Sequence, residues 1–253
     1  MRSRRTLDAK RQNRRAFLQA AGATAAAALV GNLPFAALAQ TGASAKMKIG
    51  TVGSGRVGSA IGGAWVKAGH EVMFSSLDLE ADRKLAERLG GGARAGTPRE
   101  AAAFGAVLLV TVPYAALPGL GKDLGDLIKG KIIIDTSNPI VARDGEMAVA
   151  AREKGAGIAS QEFLPGARIV RAFNAIGAAR MAEAANKGER VGMPIAGDDP
   201  DAVSVASALI RDVGYEPVLV GTLAAMGKYL IPGTPLAGER SPEEIRSVAA
   251  TLK

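Results

Sequence analysis

The sequence predicts an α/β protein, a doubly wound and mostly parallel sheet with a small C-terminal α/β extension. From Lys46 onward short β-branched runs alternate with amphipathic helical stretches, and a glycine-rich turn joins the first run to the first helix. Helix-start signals recur at Thr97 and Ser241. With 48% hydrophobic residues, 253 residues suffice for one such domain with an ample core, which excludes a disordered chain.

"MKIGTV" is the first strand, and "GSGRVGSAIGGAWVKAG" turns into a helix that Gly69 can close. "HEVMFS" is the second strand. "TPREAAA" opens a helix with Thr97 as N-cap, Pro98 at the first helical position and Glu100 completing a capping box. The strand "AVLLVTV", a helix after Pro113 and the strand "KIIIDT" follow. "RIVRAFN" and "GMPIAG" read as strands with a helix between them. In "DDPDAVSVASALIRDVG", Val203, Ala206, Ile210 and Val213 recur at helical spacing. "YEPVLV" is a further strand, "LIPGTPLAGER" a loop, and Ser241, Pro242 and Glu244 repeat the capping box before a terminal helix. Trp65 and the methionines are expected in the core.

Residues 1–39 carry six of the eight net positive charges, so the body is nearly balanced and a concentrated basic face for nucleic acid is not expected. The same segment joins Arg14 and Arg15 to Phe17 and Leu18, an alanine-rich apolar run, and an AxA-type site at Ala37–Ala39. It resembles a twin-arginine (Tat) signal peptide cleaved near Ala39, which implies export to the periplasm. Gly22, Gly31, Asn32 and Pro34 interrupt the run, so a stable membrane span is not expected. The mature body is read as 46–253, with the extension beginning near residue 177. There is no cysteine, hence no disulfide framework, no lipid-attachment cysteine and no thiolate metal site. That suits a protein folded, and loaded with its dinucleotide, before export.

Gly53, Gly55 and Gly58 form GxGxxG between a strand and a helix, the context that a dinucleotide site of the Rossmann type requires. Ser54, Arg56 and Val57 complete the turn, and the helix N-terminus offers free NH groups to a pyrophosphate. At the end of the second strand, where NAD sites place an acid on the adenosine ribose, stand Ser75 and Ser76, 22 and 23 positions after Gly53. Hydroxyls can donate to a 2′-phosphate that a carboxylate would repel, which favours NADP over NAD. Arg56 is the best-placed cation. Arg83 and Lys84 are expected on a solvated helix face, and Asp78 as a helix cap.

Ligands of such sheets bind outside the carboxyl ends of the strands. Thr111, Val112, Pro113 and Tyr114 follow the fourth strand, Ser137, Asn138 and Pro139 the fifth, and Asn174 ends "RAFN". Backbone groups there can hold the nicotinamide ribose, and an asparagine amide can orient the ring. The sole histidine, His70, begins the second strand, at the opposite edge, so no histidine triad and no metal centre is expected. Tyr114 is the candidate proton donor, with Lys228 and Tyr229 as alternatives if the last segment folds over the cleft.

"KIGTVGSGRVGSAIGGAWVKAGHEVMFSS", "DTSNP", "RAFNAI" and "PIAGDD" together resemble the NADP oxidoreductases typified by coenzyme F420-dependent NADP reductase, a domain also found in STEAP-type metalloreductases. The resemblance spans roughly Lys46 to Val220. It implies hydride exchange between NADP and a flavin or F420 ring held face to face with it. The family commonly carries an arginine directly after the serine, and this chain has Leu77. The expected partners are a small-molecule acceptor and the Tat export machinery, with a homodimer left open. Two alternatives stand beside this reading: a non-catalytic dinucleotide-binding module, and a reductase of the imine or hydroxyacid type. The latter is disfavoured because the chain returns to strands after residue 190 where those families append an all-helical domain.

Overall fold

Alternation within single strands builds a sheet with two apolar faces. Val107 and Leu109 enter one core cluster while Leu108 and Val110 enter the other, and Ile132, Ile133 and Ile134 divide in the same way. Runs buried on both faces suit a parallel sheet covered by helices on each side. The computed structural model describes residues 46–181 and 191–252.

Among these residues the strands are β1 (Lys48–Val52), β2 (Glu71–Ser75), β3 (Ala93–Ala95), β4 (Val107–Val110), β5 (Ile132–Asp135), β6 (Arg168–Arg171), β7 (Gly192–Gly197) and β8 (Glu216–Gly221). They form one sheet in the order β3-β2-β1-β4-β5-β6-β7-β8. The first six run parallel, β7 runs antiparallel to β6, and β8 runs parallel to β7. The fold is the expected Rossmann-type α/β architecture. Its order reverses between β1 and β4, and the crevice for a ligand opens at the carboxyl ends of those two strands.

The helices are α1 (Arg56–Lys67), α2 (Leu79–Leu89), α3 (Pro98–Phe104), α4 (Leu117–Leu124), α5 (Val141–Lys154), α6 (Ala156–Phe163), α7 (Ala178–Met181), α8 (Pro200–Asp212), α9 (Leu223–Met226) and α10 (Pro242–Thr251). Both expected capping boxes form, at Thr97 with Glu100 and at Ser241 with Glu244. α1 ends in a Schellman arrangement: Gly69 N donates to Val66 O at 3.0 Å and His70 N to Trp65 O at 3.0 Å. Trp65 is fully buried, and its indole donates to Leu209 O of α8 at 2.8 Å, tying the first strand–helix unit to the extension.

The structure departs from the sequence reading in three places. β3 has three residues and no apolar run to announce it. The alanine-rich stretch from Val141 to Phe163 forms α5 and α6, with α5 broken at Gly145. The strand expected across "RIVRAFN" stops at Arg171, because Phe173 takes a left-handed conformation at φ 64° that no strand accommodates. The signal peptide read over residues 1–39, with its arginine pair and cleavage site, lies outside the described residues. Among those described, no helix is long and apolar enough to cross a membrane.

Candidate functional site

The turn after β1 is held from both sides. Gly53 N and Ser54 N donate to Ser75 O at 2.8 and 3.1 Å, and the Thr111 hydroxyl donates to Gly53 O. Gly53 adopts φ 97°, and a Cβ there would lie 2.6 Å from Thr111 O. A Cβ on Gly58 would lie 2.0 Å from Gly53 O, so helix and turn meet only because that residue is glycine. At Gly55 an added Cβ would meet nothing within 4 Å. That open volume stands over the first turn of α1, whose N-cap Gly55 makes no side-chain cap and whose first turn holds no acid. The backbone NH groups there have no helical partners, so the turn fits a pyrophosphate in geometry and charge. Val57 is half-buried against the core, while Arg56 is exposed and lines a cavity between α1, α2 and α7.

At the end of β2 the two serines part company. Ser75 is fully buried and its hydroxyl donates to Thr51 O at 2.7 Å, so the expectation that it donates to a 2′-phosphate is overturned: the neighbouring strand β1 takes its single proton. Ser76 is half-buried and stays at the edge. Its hydroxyl donates to Asp82 Oδ2 at 2.8 Å, and the Ser54 hydroxyl donates to Asp82 Oδ1. A carboxylate is therefore present beside the turn, supplied by α2. The sequence does not announce it, because the aspartate stands on the helix, six positions beyond Ser76. Asp78 caps α2 as expected, accepting from Ala81 N at 2.9 Å. Leu77 is wholly exposed. Arg83 pairs with Glu80 at 3.5 Å on the solvated face.

Around the ends of β4 to β6 the expected residues separate by what already holds them. Thr111 and Val112 are half-buried and Pro113 is exposed at the crevice. Tyr114 is fully buried, packs edge-on against Phe163, donates to Ala156 O at 2.7 Å and lies 3.1 Å from Ser160 Oγ. Burial pushes its phenol up to about 12. The proposal of Tyr114 as proton donor is overturned, since the short helical turn after Pro113 aims it into the core. The Asn138 carboxamide donates to Asn174 O at 3.0 Å, and the carbonyls of Asn138 and Pro139 accept from Arg143 and Arg152 at 2.8 Å each. Pro139 is buried. Two buried atoms at this edge have no hydrogen-bond partner, Ser137 Oγ and Asn174 Oδ1. A buried polar atom left unpaired costs stability unless a ligand pairs it. The left-handed Phe173 is what turns Asn174 back toward Ser137.

Beneath this edge lies a fully buried ion pair. Arg171 Nη1 donates to Asp135 Oδ2 at 2.6 Å, and Arg171 Nη2 donates to Ser137 O and Leu230 O at 3.1 Å each. Ser160 donates to Asp135 Oδ2 and the Ser137 NH to Asp135 Oδ1, both at 2.8 Å. The Leu230 contact brings the segment after α9 to the carboxyl edge, with Lys228 Nζ 4.9 Å from the centroid of the Tyr229 ring. His70, at the start of β2, accepts from Met47 N on Nδ1 at 3.1 Å, which leaves Nε2 to donate to Asp212 at 3.0 Å. It is part of the scaffold. Among the described residues no group of three or more His, Asp or Glu could hold a metal ion.

A family model described as "NADP oxidoreductase coenzyme F420-dependent" matches residues 48–139, the stretch that carries the glycine turn, Ser76, Thr111 and Asn138. Over 180 residues the chain is 32% identical to the F420-dependent NADP reductase of Methanothermobacter marburgensis, a match covering 66% of this chain and 80% of that protein. The chain belongs to this family. It is also 28% identical over 181 residues to the metalloreductase STEAP3 of Rattus norvegicus, a match over 70% of this chain and 34% of that longer protein. Among solved structures, a hypothetical protein from Sinorhizobium meliloti matches with a TM-score of 0.68 at 26% identity, over 78% of this chain and 96% of that chain. Family membership makes the protein an NADP-dependent oxidoreductase acting on a small molecule.

Proposed function

We propose that this protein transfers hydride between NADP(H) and a flavin-like or other small planar acceptor, and that it does so in the periplasm after export by the twin-arginine route. The observation that carries the reading is the turn Gly53–Gly58, with its open volume at Gly55 and free NH groups at the start of α1. A bound NADP(H) supplies or accepts the hydride. The chain's part is to hold the pyrophosphate on that turn and to pair the nicotinamide end with Ser137 and Asn174, whose side-chain oxygens lack partners. Thr111, Val112 and Pro113 line the crevice between the two. Orientation of two planar rings needs no protein acid at the acceptor, which agrees with a site whose first candidate donor, Tyr114, is engaged in the core. The imine or hydroxyacid alternative is disfavoured by the return to β7, α8 and β8 after residue 190.

Rapid-mixing oxidation of NADPH by coenzyme F420, FMN or FAD tests the acceptor. Turnover with at least one is expected, and none with any would leave a binding module in place of an enzyme. Replacing Arg14 and Arg15 together by lysine is expected to retain the protein in the cytoplasm; unchanged periplasmic delivery would remove the export assignment.

A further inference from the structure

Asp82 is 1% exposed, yet no cation pairs with it among the described ion pairs. The carboxylate arrives there through local helix geometry. Asp78 caps α2, Asp82 N bonds Asp78 O at 3.1 Å, and one turn later the side chain shares the buried face of Leu85 and Ala86 and meets the glycine turn. Its two oxygens accept the hydroxyl protons of Ser54 and Ser76.

A serine hydroxyl has one proton and two lone pairs. With both protons directed to Asp82, the two serine oxygens can offer only lone pairs to a nucleotide, and one of the two on Ser76 already accepts from Asp78 N at 3.1 Å. Lone pairs accept from a free ribose hydroxyl and oppose a phosphate oxygen, which itself requires donors. The buried negative charge acts in the same sense, and Leu77 beside it is wholly exposed and brings no charge. Ser76, read from the sequence as a donor to a 2′-phosphate, is thereby turned round.

We propose that Asp82 is the residue that sets cofactor preference in this chain: acting through Ser54 and Ser76, it makes the adenosine end an acceptor surface and admits NADH alongside NADPH. The inference rests on the reading that a dinucleotide settles on the Gly53–Gly58 turn.

Fluorescence titration of the full chain with NADH and NADPH tests it by affinity alone. Wild-type protein binds both, and Asp82→Asn, which keeps the shape and supplies an amide donor, raises the ratio of NADPH to NADH affinity by about tenfold. A ratio that stays the same while both still bind overturns the role of Asp82. Ser76→Ala gives an independent answer at a half-buried position should Asp82→Asn fail to fold. It weakens NADH more than NADPH; a larger loss for NADPH shows a serine donating to phosphate and overturns the proposal. Wild-type protein that binds neither dinucleotide defeats the functional reading itself, an outcome distinct from an unchanged ratio.

Discussion

At the β1–β2 end of the carboxyl edge, Ser54, Ser76 and Asp82 form a cluster that borders solvent; at the β5–β6 end, Asp135, Ser160, Arg171 and Tyr114 form one that solvent does not reach. Both contain a buried aspartate that accepts from serine, two hydroxyls at Asp82 and one hydroxyl and one backbone NH at Asp135. The inner one also contains an arginine, which balances the charge and donates from Nη2 to the carbonyls of Ser137 and Leu230. The outer aspartate has only hydroxyl donors among the described hydrogen bonds. The difference teaches that position at a ligand-binding edge is not enough. A polar group serves a ligand only if the fold has not already paired it.

The largest effect is expected from removing the inner cation. Arg171→Ala leaves Asp135 buried without its partner, and urea unfolding should report a loss of about 3–5 kcal/mol. A loss under about 1 kcal/mol would mean that water reaches the cluster and that the two regions are alike. Next comes the outer region. Gly55→Ala places its methyl in open volume, so unfolding should be unchanged while NADPH affinity falls by about tenfold or more. Unaltered affinity would show that the phosphates do not lie over the turn.

A smaller change is expected from Tyr114→Phe, which removes the donor to Ala156 O. The cost is about 1 kcal/mol of stability, with no change in the rate of NADPH oxidation. A slowed rate with stability intact would bring the inner cluster into the chemistry. The smallest is an ion pair outside both clusters. Hydrogen bonds from Arg168 at 2.6 and 2.7 Å hold the Asp199 carboxyl at about 2, below its ordinary 3.8. Its contribution is complete above about pH 4 and is lost as pH falls through about 2, and screening limits it to about 1 kcal/mol or less. Arg168→Met should flatten that part of the acid stability profile and leave both clusters untouched.

Much of the scaffold is legible in the chain because its causes are local. The β-branched runs, the capping boxes at Thr97 and Ser241, the Gly69 stop and the GxGxxG spacing all act within a few residues. β3 escapes because three residues carry no period, and α5 and α6 because alanine-rich stretches have little amphipathic contrast. The reversal of β7 escapes because an apolar strand reads the same in either direction.

The site divides along the same line. Sequence alone determined the glycine turn and which residues stand at the carboxyl edge, since strand ends and turn chemistry follow from neighbouring residues. Tertiary structure decided which of those residues remain open to a ligand: Ser75 and Tyr114 are taken by Thr51 and Ala156, and Asp82 reaches Ser54 from 28 positions away. Hydrogen-bonding capacity is finite, and the partner that fills it is chosen by packing between segments distant in the chain.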